Sequence, residues 1–415
     1  MADLVQRLTK AHKEIHEDSN SILGTINAYQ SLHPELAEEY MKRMSALESE
    51  IRHIEKKWEG KKTYRSEQFL HIMIPYLLAN IARTQSIIDL NTIGREFSSK
   101  EVFEHYMIIE GIRAEEISDV VDSYHQAVKH LLEFQGKHRK AISIEPVNVE
   151  DVSEYKRLCE SYTLRLDEAA SRKFGRKITT PANFDVKETN PHQFLGRINV
   201  GFEQTLLNLI STIGHEGPFG HNTHMMLSKE TDYHQVFRHE TEGLAVLGEG
   251  LALTSQGVND ELIELQMTKR KMNDSLYAAI EMLAFHDMLT VDQIAERLSN
   301  EFVTKKRLVT GLSHLEKDRT YNVTFASMPY YVGAKIAIKA YTDASEFIRS
   351  ISHNEEDYDR LHQGLVLKMF MGHKPARLMA QDLHMYLGYV KKSRESSGSA
   401  NGAGSGAPLQ YRLGP

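Results

Sequence analysis

What the chain lacks excludes several classes of protein. Its 415 residues include a single cysteine, Cys159, so no disulfide can form within the chain, and a zinc site built from cysteine thiolates is excluded. Chains without disulfides are typical of reducing compartments, and we expect a cytoplasmic location. The N-terminal stretch MADLVQRLTKAHKEIHED carries acidic residues and has no apolar core, so we expect no secretory signal peptide.

Long apolar runs and an excess of positive charge are missing as well. Residues 200–214 form the longest apolar-rich stretch, but they contain Glu203, Gln204 and Asn208 and are too short to span a bilayer. The formal net charge is −7, whereas a protein whose main partner is nucleic acid needs a basic face. We therefore expect neither a membrane nor a nucleic-acid partner, and no oligomeric state follows from the sequence.

The pattern that is present is helical. Through most of the chain, apolar residues recur at spacings of three and four, for example at Leu70, Met73, Ile74, Leu77, Leu78 and Ile81. This predicts a mainly α fold, an elongated multi-helix body with at most a very small sheet. Pro75 lies inside the pattern and should kink or split its helix.

Residues 193–201, QFLGRINVG, are the best strand candidate. An extended peptide substrate could add to the edge of this strand, with Arg197 and Asn199 facing it.

Changes in composition predict four segments. We expect an N-terminal helical scaffold or lid at 1–140, a connecting segment at 141–192 and a metal-binding catalytic region at 193–393. Residues 394–415 are rich in glycine and serine and are expected to be disordered.

The densest group of metal-binding side chains is HEGPFGHNTH at 215–224. A zinc hydrolase needs three His, Asp or Glu ligands, an open position for water and a nearby carboxylate that takes the proton of that water. The familiar pattern is HExxH on one helix, but here His215-Glu216 is followed by His221. On a straight helix, six residues would leave the two imidazoles roughly 120° apart. The intervening Gly-Pro-Phe-Gly should break the helix and turn His221 back toward His215.

A third ligand must come from another segment, and EGLAVLGEGLAL supplies two candidates. Glu242 and Glu249 are separated by about two helical turns, so they lie on nearly the same face. Either of them can complete a zinc site with the two histidines.

These elements together resemble the all-helical zinc peptidases of the domain-of-unknown-function 885 (DUF885) family. That family has HExxPGHH, then EGWALY on the next helix, a later D-x-G-x-H element and a Tyr/Gly segment. The corresponding stretches here cover 194–345 and read HEGPFGHN, EGLAL, EMLAFH and MPYYVG. They differ from the family pattern in the position of Pro218, and Asn222 and Leu251 replace a histidine and a tryptophan.

The resemblance implies a zinc-dependent metallohydrolase, specifically a peptidase, acting on peptides or amide-containing small molecules. It implies zinc ligands, a general base and donors that stabilise the oxyanion. The zinc ligands implied are His215, His221 and Glu249, the base is Glu216, and the donors are His286 and Tyr330 or Tyr331. In this arrangement Glu242 is either a replacement for Glu249 or a residue that holds a ligand histidine.

Two other interpretations remain open. Helical proteins also bind iron or manganese pairs through repeated Glu-x-x-His motifs; Glu50 and His53 have this spacing, but the sequence has no second copy to pair with them. A degenerate peptidase that serves as a non-enzymatic binding protein would also carry altered positions such as Asn222 and Leu251.

Overall fold

The structure, a computed structural model, describes most of the chain. The described residues are 2–58, 67–137, 152–180, 184–186, 192–194, 197–200, 205–229, 237–317, 327–372 and 374–398. Part of the predicted connecting segment at 141–192 lies outside these ranges, as does the predicted tail at 394–415 from residue 399 onward. Residues 394–398, which we expected to be disordered, belong to the last helix, Ala376–Gly398.

The described residues are mainly helical, which confirms the predicted fold class. In the first part of the chain the helices are α1 (Ala2–Tyr29), α2 (Pro34–Lys57), α3 (Ile74–Asn91), α4 (Ser99–Glu110), α5 (Ala114–Ile117), α6 (Val120–Lys137) and α7 (Val152–Phe174). The later helices are α8 (Leu206–Glu216), α9 (His221–Ser228), α10 (Arg238–Ser255), α11 (Asp260–Glu281), α12 (Val291–Leu298), α13 (Lys305–Lys317), α14 (Ser327–Ile351), α15 (Glu355–Phe370) and α16 (Ala376–Gly398). No helix among the described residues has both the length and the apolarity that crossing a membrane requires.

The small sheet has three strands, β1 (Phe184–Val186), β2 (His192–Phe194) and β3 (Arg197–Val200), in the order β1-β3-β2. The predicted single strand at 193–201 is therefore divided between β2 and β3, which pair antiparallel, and β1 pairs with β3 in parallel. Because β3 already has a strand on each side, it cannot receive a peptide by edge addition as we predicted.

Local sequence signals explain several helix boundaries. Pro75 stands in the first turn of α3, directly after a π-helical segment, Phe69–Met73, so the predicted helix is split where expected. Ser98 begins α4 with a capping box that it forms with Glu101. Gly111, whose φ is +70°, ends α4.

Among the described residues, three large hydrophobic cores hold the helices together, with a fourth, small cluster at Leu131, Phe134 and Leu265. Helices α1–α3 form one core, joined by Phe237 and Leu378 from the second half of the chain. Helices α4–α6 do not share it; their apolar faces pack with those of α11–α13 and the start of α14. The third core combines α7–α10 with α14–α16, and it contains the HEGPFGHNTH segment. The predicted scaffold at 1–140 therefore contributes to two different cores.

Candidate metal centre

The helix that carries His215 ends one residue later. Helix α8 stops at Glu216 and α9 starts at His221, with the turn 217–220 between them, so the expected interruption is present. Gly220 approaches the end of α8 so closely that a Cβ atom there would lie 1.7 Å from the carbonyl oxygen of His215. A side chain at this position would push α9 and His221 away from α8.

Helix α10 also packs against this turn through a glycine. A Cβ atom on Gly248 would lie 2.3 Å from the carbonyl oxygen of Phe219, so the α10 backbone touches the turn directly. On α14, a Cβ atom at Gly333 would lie 1.6 Å from the carbonyl oxygen of His239, at the start of α10. These contacts fix α10 between the turn and α14, and they bring its glutamates to the histidines.

Three side chains converge in this space: His215, His221 and Glu242. Oε2 of Glu242 lies 3.4 Å from Nε2 of His215 and 3.3 Å from Nε2 of His221. One ligand atom from each residue lies within 4.8 Å of the others, and the two imidazole rings are nearly perpendicular at 86°. Oε2 of Glu242 is buried and accepts no well-aligned hydrogen bond from the described residues. Two imidazole nitrogens and a carboxylate oxygen therefore point into one small volume.

The structure differs from the prediction at Glu249. Its Oε1 lies 2.8 Å from Nδ1 of His215, on the opposite edge of the ring from Glu242. The backbones of the two glutamates are about 10 Å apart along α10. One carboxylate therefore lies at each edge of the His215 ring, and only Glu242 reaches its Nε2. The cluster of potential ligands accordingly contains Glu242, and Glu249 is placed to accept the Nδ1–H of His215. The sequence motif puts both glutamates on the correct face without distinguishing these roles.

The carboxylates strongly affect the protonation of the site. Burial lowers the pKa of His215, but the carboxylates of Glu242 and Glu249 on either side of its ring outweigh this and raise the pKa to about 10. Burial likewise opposes ionisation of Glu242, yet the two histidines hold its pKa well below the usual range. The same carboxylates that stabilise a protonated His215 would also stabilise a divalent cation at this position, because both carry positive charge.

Glu216, the predicted general base, is buried at the end of α8 beside this cluster. It directly follows His215 on α8, and its negative charge helps to raise the pKa values of His215 and Tyr330. It is not one of the three converging residues. A carboxylate next to the cluster but outside it has the placement that a base requires.

Of the two tyrosines proposed as donors, Tyr330 is the one at the site. Its ring is stacked on the imidazole of His215, with the centroids 6.2 Å apart and the planes 13° apart. Burial and the neighbouring Glu242 carboxylate raise its pKa. Tyr331, the next residue on α14, points the other way, and its hydroxyl lies 3.0 Å from Oδ1 of Asp119 and 2.9 Å from Oγ of Ser123. Consecutive helical residues lie about 100° apart, so only one of the two can face His215.

His286 is not brought to the cluster. It ends the π-helical segment Met282–His286 that follows α11, and its Nδ1 lies 2.7 Å from Oδ1 of Asp287. Its ring packs beside Phe103. The predicted oxyanion role of His286 therefore does not fit the structure. Glu281, at the other end of the same motif, instead accepts the backbone N–H groups of Ser327 and Met328 and so holds the first turn of α14.

Arg270 and Asp274 complete the surroundings of Glu249, and sequence reasoning missed both. Nη1 of Arg270 lies 3.5 Å from Oε1 of Glu249, and its Nε donates to Oδ2 of Asp274 at 2.9 Å. Burial raises the pKa of Asp274 to about 6 although the guanidinium opposes this. Their one-turn spacing on α11 is a signal too common to mark a site.

The two motif departures do not enter the cluster. The Asn222 side chain faces the segment after α7, with Nδ2 3.4 Å from the carbonyl oxygen of Thr179. Leu251 is buried in the third core. Neither substitution removes a group from the converging set of His215, His221 and Glu242.

This donor set fits a zinc ion. Two histidines and one glutamate are a known ligand combination of catalytic zinc, which keeps a fourth position for water. The same two-His, one-carboxylate set also suits non-haem iron. His215, a candidate ligand, has its other nitrogen 2.8 Å from a carboxylate oxygen of Glu249, the arrangement that normally fixes the tautomer of a metal-bound imidazole.

Comparisons with known proteins give little beyond this geometry. No protein-family model matches the sequence, and no curated protein matches it. Among solved structures, the chain is similar to one described as a putative lipoprotein from Colwellia psychrerythraea. The TM-score is 0.48 and the identity 12%, over 85% of this chain and 70% of the other. At this level the similarity indicates no shared activity, and the resemblance to the DUF885 peptidases stays a prediction.

Proposed function

We propose that the protein is a zinc-dependent metallohydrolase that cleaves amide bonds in peptides or small molecules. The observation that carries the proposal is the convergence of two Nε2 atoms and a buried carboxylate oxygen at His215, His221 and Glu242. The carboxylate of Glu249 behind His215 and that of Glu216 beside it supply the orienting group and the base that such a reaction needs.

The residues have distinct roles in this mechanism. His215, His221 and Glu242 would hold zinc, which when bound acidifies a coordinated water and polarises a carbonyl group. Glu249 accepts the Nδ1–H of His215 and keeps the Nε2 lone pair directed into the cluster. Glu216 accepts the proton of the attacking water and later delivers it to the leaving amine. The Tyr330 phenol donates a hydrogen bond to the oxyanion that forms on the substrate.

A cytoplasmic location belongs to the same proposal. The free, buried Cys159 supports a reducing environment, because no pairing partner for it exists in the chain.

The test combines metal analysis with a hydrolysis assay. Protein purified without chelators should contain one zinc per chain by mass spectrometry of metals, and His221→Ala should lose it. Incubation with a mixture of peptides and N-acyl amino acids should yield new amines in the wild type only when zinc is present. Glu216→Gln should keep its zinc and lose about 100-fold or more of the hydrolysis rate.

Each outcome is decisive for one part of the proposal. Absence of stoichiometric zinc overturns the metal site, and two irons per chain would assign the cluster to a different class of metalloenzyme. Full activity in Glu216→Gln would remove Glu216 as the base while leaving the zinc site intact.

A second candidate function is a non-enzymatic binding protein with a structural zinc. The burial of the cluster favours it, since the side chains of His215, Glu242 and His221 are only 9%, 13% and 15% exposed. Structural zinc sites are closed and lack the open position of catalytic ones. This candidate predicts one tightly bound zinc and no product with any substrate in the mixture.

A further inference from the structure

Arg270 reaches the metal centre from α11 without being a candidate ligand. Its side chain is 29% exposed, and its Nη1 lies 3.5 Å from the Oε1 of Glu249 that faces His215. That same Oε1 lies 2.8 Å from Nδ1 of His215. Arg270 and His215 therefore share one carboxylate oxygen.

Tyr330 provides a second link between Arg270 and His215. The guanidinium carbon of Arg270 lies over the ring of Tyr330, 5.2 Å from its centroid. The same tyrosine ring is stacked on the imidazole of His215. One arginine thus contacts both groups that fix the imidazole, the carboxylate at its Nδ1 edge and the aromatic ring at its face.

Arg270 is itself held in place. Asp274, one turn later on α11, accepts a hydrogen bond from its Nε at 2.9 Å. The guanidinium can serve two carboxylates and an aromatic face at once because it is planar and carries donors in a fixed fork. Lysine has one charged nitrogen and cannot reproduce these three contacts together.

We propose that Arg270 is a positioning residue of the metal centre, which fixes the His215 imidazole through Glu249 at its edge and Tyr330 at its face. The expected effect of Arg270 on zinc affinity rests on the proposed function. Its effect on the orientation of the His215 ring does not require that zinc binds. Groups behind a ligand histidine contribute about 10- to 100-fold to metal affinity in other sites.

The test compares three variants with the wild type. Arg270→Met removes the charge and keeps much of the chain length, and Arg270→Lys keeps the charge without the fork. Arg43→Met is the matched control, because Arg43 pairs at 2.6 Å with the carboxylate of Asp18, which is 6% exposed and belongs to the N-terminal core region. Zinc affinity is measured by competition with a chromophoric chelator, and folding is checked by circular dichroism.

We expect zinc affinity to fall about 10- to 100-fold in Arg270→Met, less in Arg270→Lys, and not at all in Arg43→Met. Affinities within twofold of the wild type in both Arg270 variants would overturn the proposal. Equal losses in Arg270→Met and the Arg43→Met control would overturn it as well, because they would indicate a general effect of breaking a buried ion pair.

A zinc-independent measurement separates this inference from the proposed function. In metal-free protein, the ring nitrogen signals of His215 in long-range proton–nitrogen spectra are assigned by their disappearance in His215→Gln. They should shift in Arg270→Met and stay unchanged in Arg43→Met. If the wild type binds no zinc, the hydrolase proposal fails, while shifted His215 signals still support Arg270 and unshifted signals refute it.

Discussion

Two buried groups of charged residues in this molecule have opposite charge balances. In the first, the Asp382 cluster, one carboxylate is shared by two lysines, with Nζ of Lys368 at 2.9 Å and Nζ of Lys374 at 2.8 Å. Gln68 adds a donor at 3.3 Å. The protein itself supplies all the positive charge that the buried carboxylate of Asp382 needs.

The candidate metal centre has the reverse composition. Glu216, Glu242 and Glu249 stand around His215 and His221, and Arg270 is the cation paired with one of them. Neutral imidazoles leave this group negative, so it is completed by bound protons or by a divalent cation. The comparison teaches that burial alone does not mark a functional site; an excess of carboxylates with converging nitrogen lone pairs does.

The largest expected effect is on stability, and it compares a substitution in the Asp382 cluster with one in the candidate metal centre. Asp382→Ala leaves Lys374 buried without its carboxylate and should lower the free energy of unfolding by about 3–5 kcal/mol. Glu242→Gln should change the stability of metal-free protein far less, by about 1 kcal/mol or less, because its neighbours can lose their protons. Urea denaturation of both variants in chelator measures the difference.

Stabilisation by added zinc should also distinguish the two groups of charged residues. At a concentration 100 times the dissociation constant, it should stabilise the wild type by about 2.7 kcal/mol and Asp382→Ala by the same amount. Glu242→Gln should gain nothing. Equal stabilisation of Glu242→Gln would show that zinc binds elsewhere.

A smaller effect is the pH dependence of stability that comes from His239 and His362. These buried histidines lack the pair of adjacent carboxylates that His215 has. Burial lowers the pKa of His239 to about 3 and that of His362 to about 4, whereas His215 is raised. Nε2 of His239 accepts the backbone N–H of Ala376 at 2.9 Å, which requires a neutral ring.

The sign of the pH effect follows from these directions. Between pH 6.5 and the lowered pKa values, the unfolded chain binds more protons than the folded one, so stability falls as pH falls. From pH 6.5 to 5, His239 and His362 together should remove about 2–3 kcal/mol. His239→Gln should lessen the slope of unfolding free energy against pH by about half. An unchanged slope would contradict the buried neutral state of His239.

The smallest expected effect separates two adjacent tyrosines. Tyr331→Phe removes a hydroxyl that bonds Asp119 and Ser123 and should lower stability by about 1 kcal/mol with no change in catalysis. Tyr330→Phe should keep stability within about 0.5 kcal/mol and lower kcat about 10-fold or more, through the lost oxyanion donor. Thermal unfolding and steady-state kinetics of the pair measure both. The reverse assignment would place Tyr331, not Tyr330, at the reaction.

Much of the local structure could be predicted from the sequence. Pro75 splits its helix, and the Gly-Pro-Phe-Gly turn separates α8 from α9, because these residues restrict or free the backbone wherever they stand. The two EGLA copies share one face of α10 since their spacing is about two turns. The end of α4 at Gly111 does not follow from the sequence, because a single glycine inside a helical pattern is compatible with continuation or termination.

The site residues divide in the same way. His215, His221 and Glu216 were identified from local sequence, and the structure places all three at one end of α8 and its turn. Of the two glutamates that the sequence left open as third ligand, Glu242 lies in the cluster and Glu249 lies at Nδ1 of His215. His286 and Tyr331 contact other residues. Arg270 gave no sequence signal specific enough to mark a site.

The sequence by itself determined the helical fold, the break between the histidines and the face on which the glutamates lie, since each depends on neighbours within a few residues. The tertiary structure decided which glutamate reaches Nε2 of His215 and which reaches Nδ1. That choice depends on the position of α10 along its own axis relative to the turn 217–220. The close backbone contacts at Gly248 and Gly333 fix this position. It also decided that Tyr330 and Arg270 belong to the centre, because α11 and α14 meet α10 only in the folded protein.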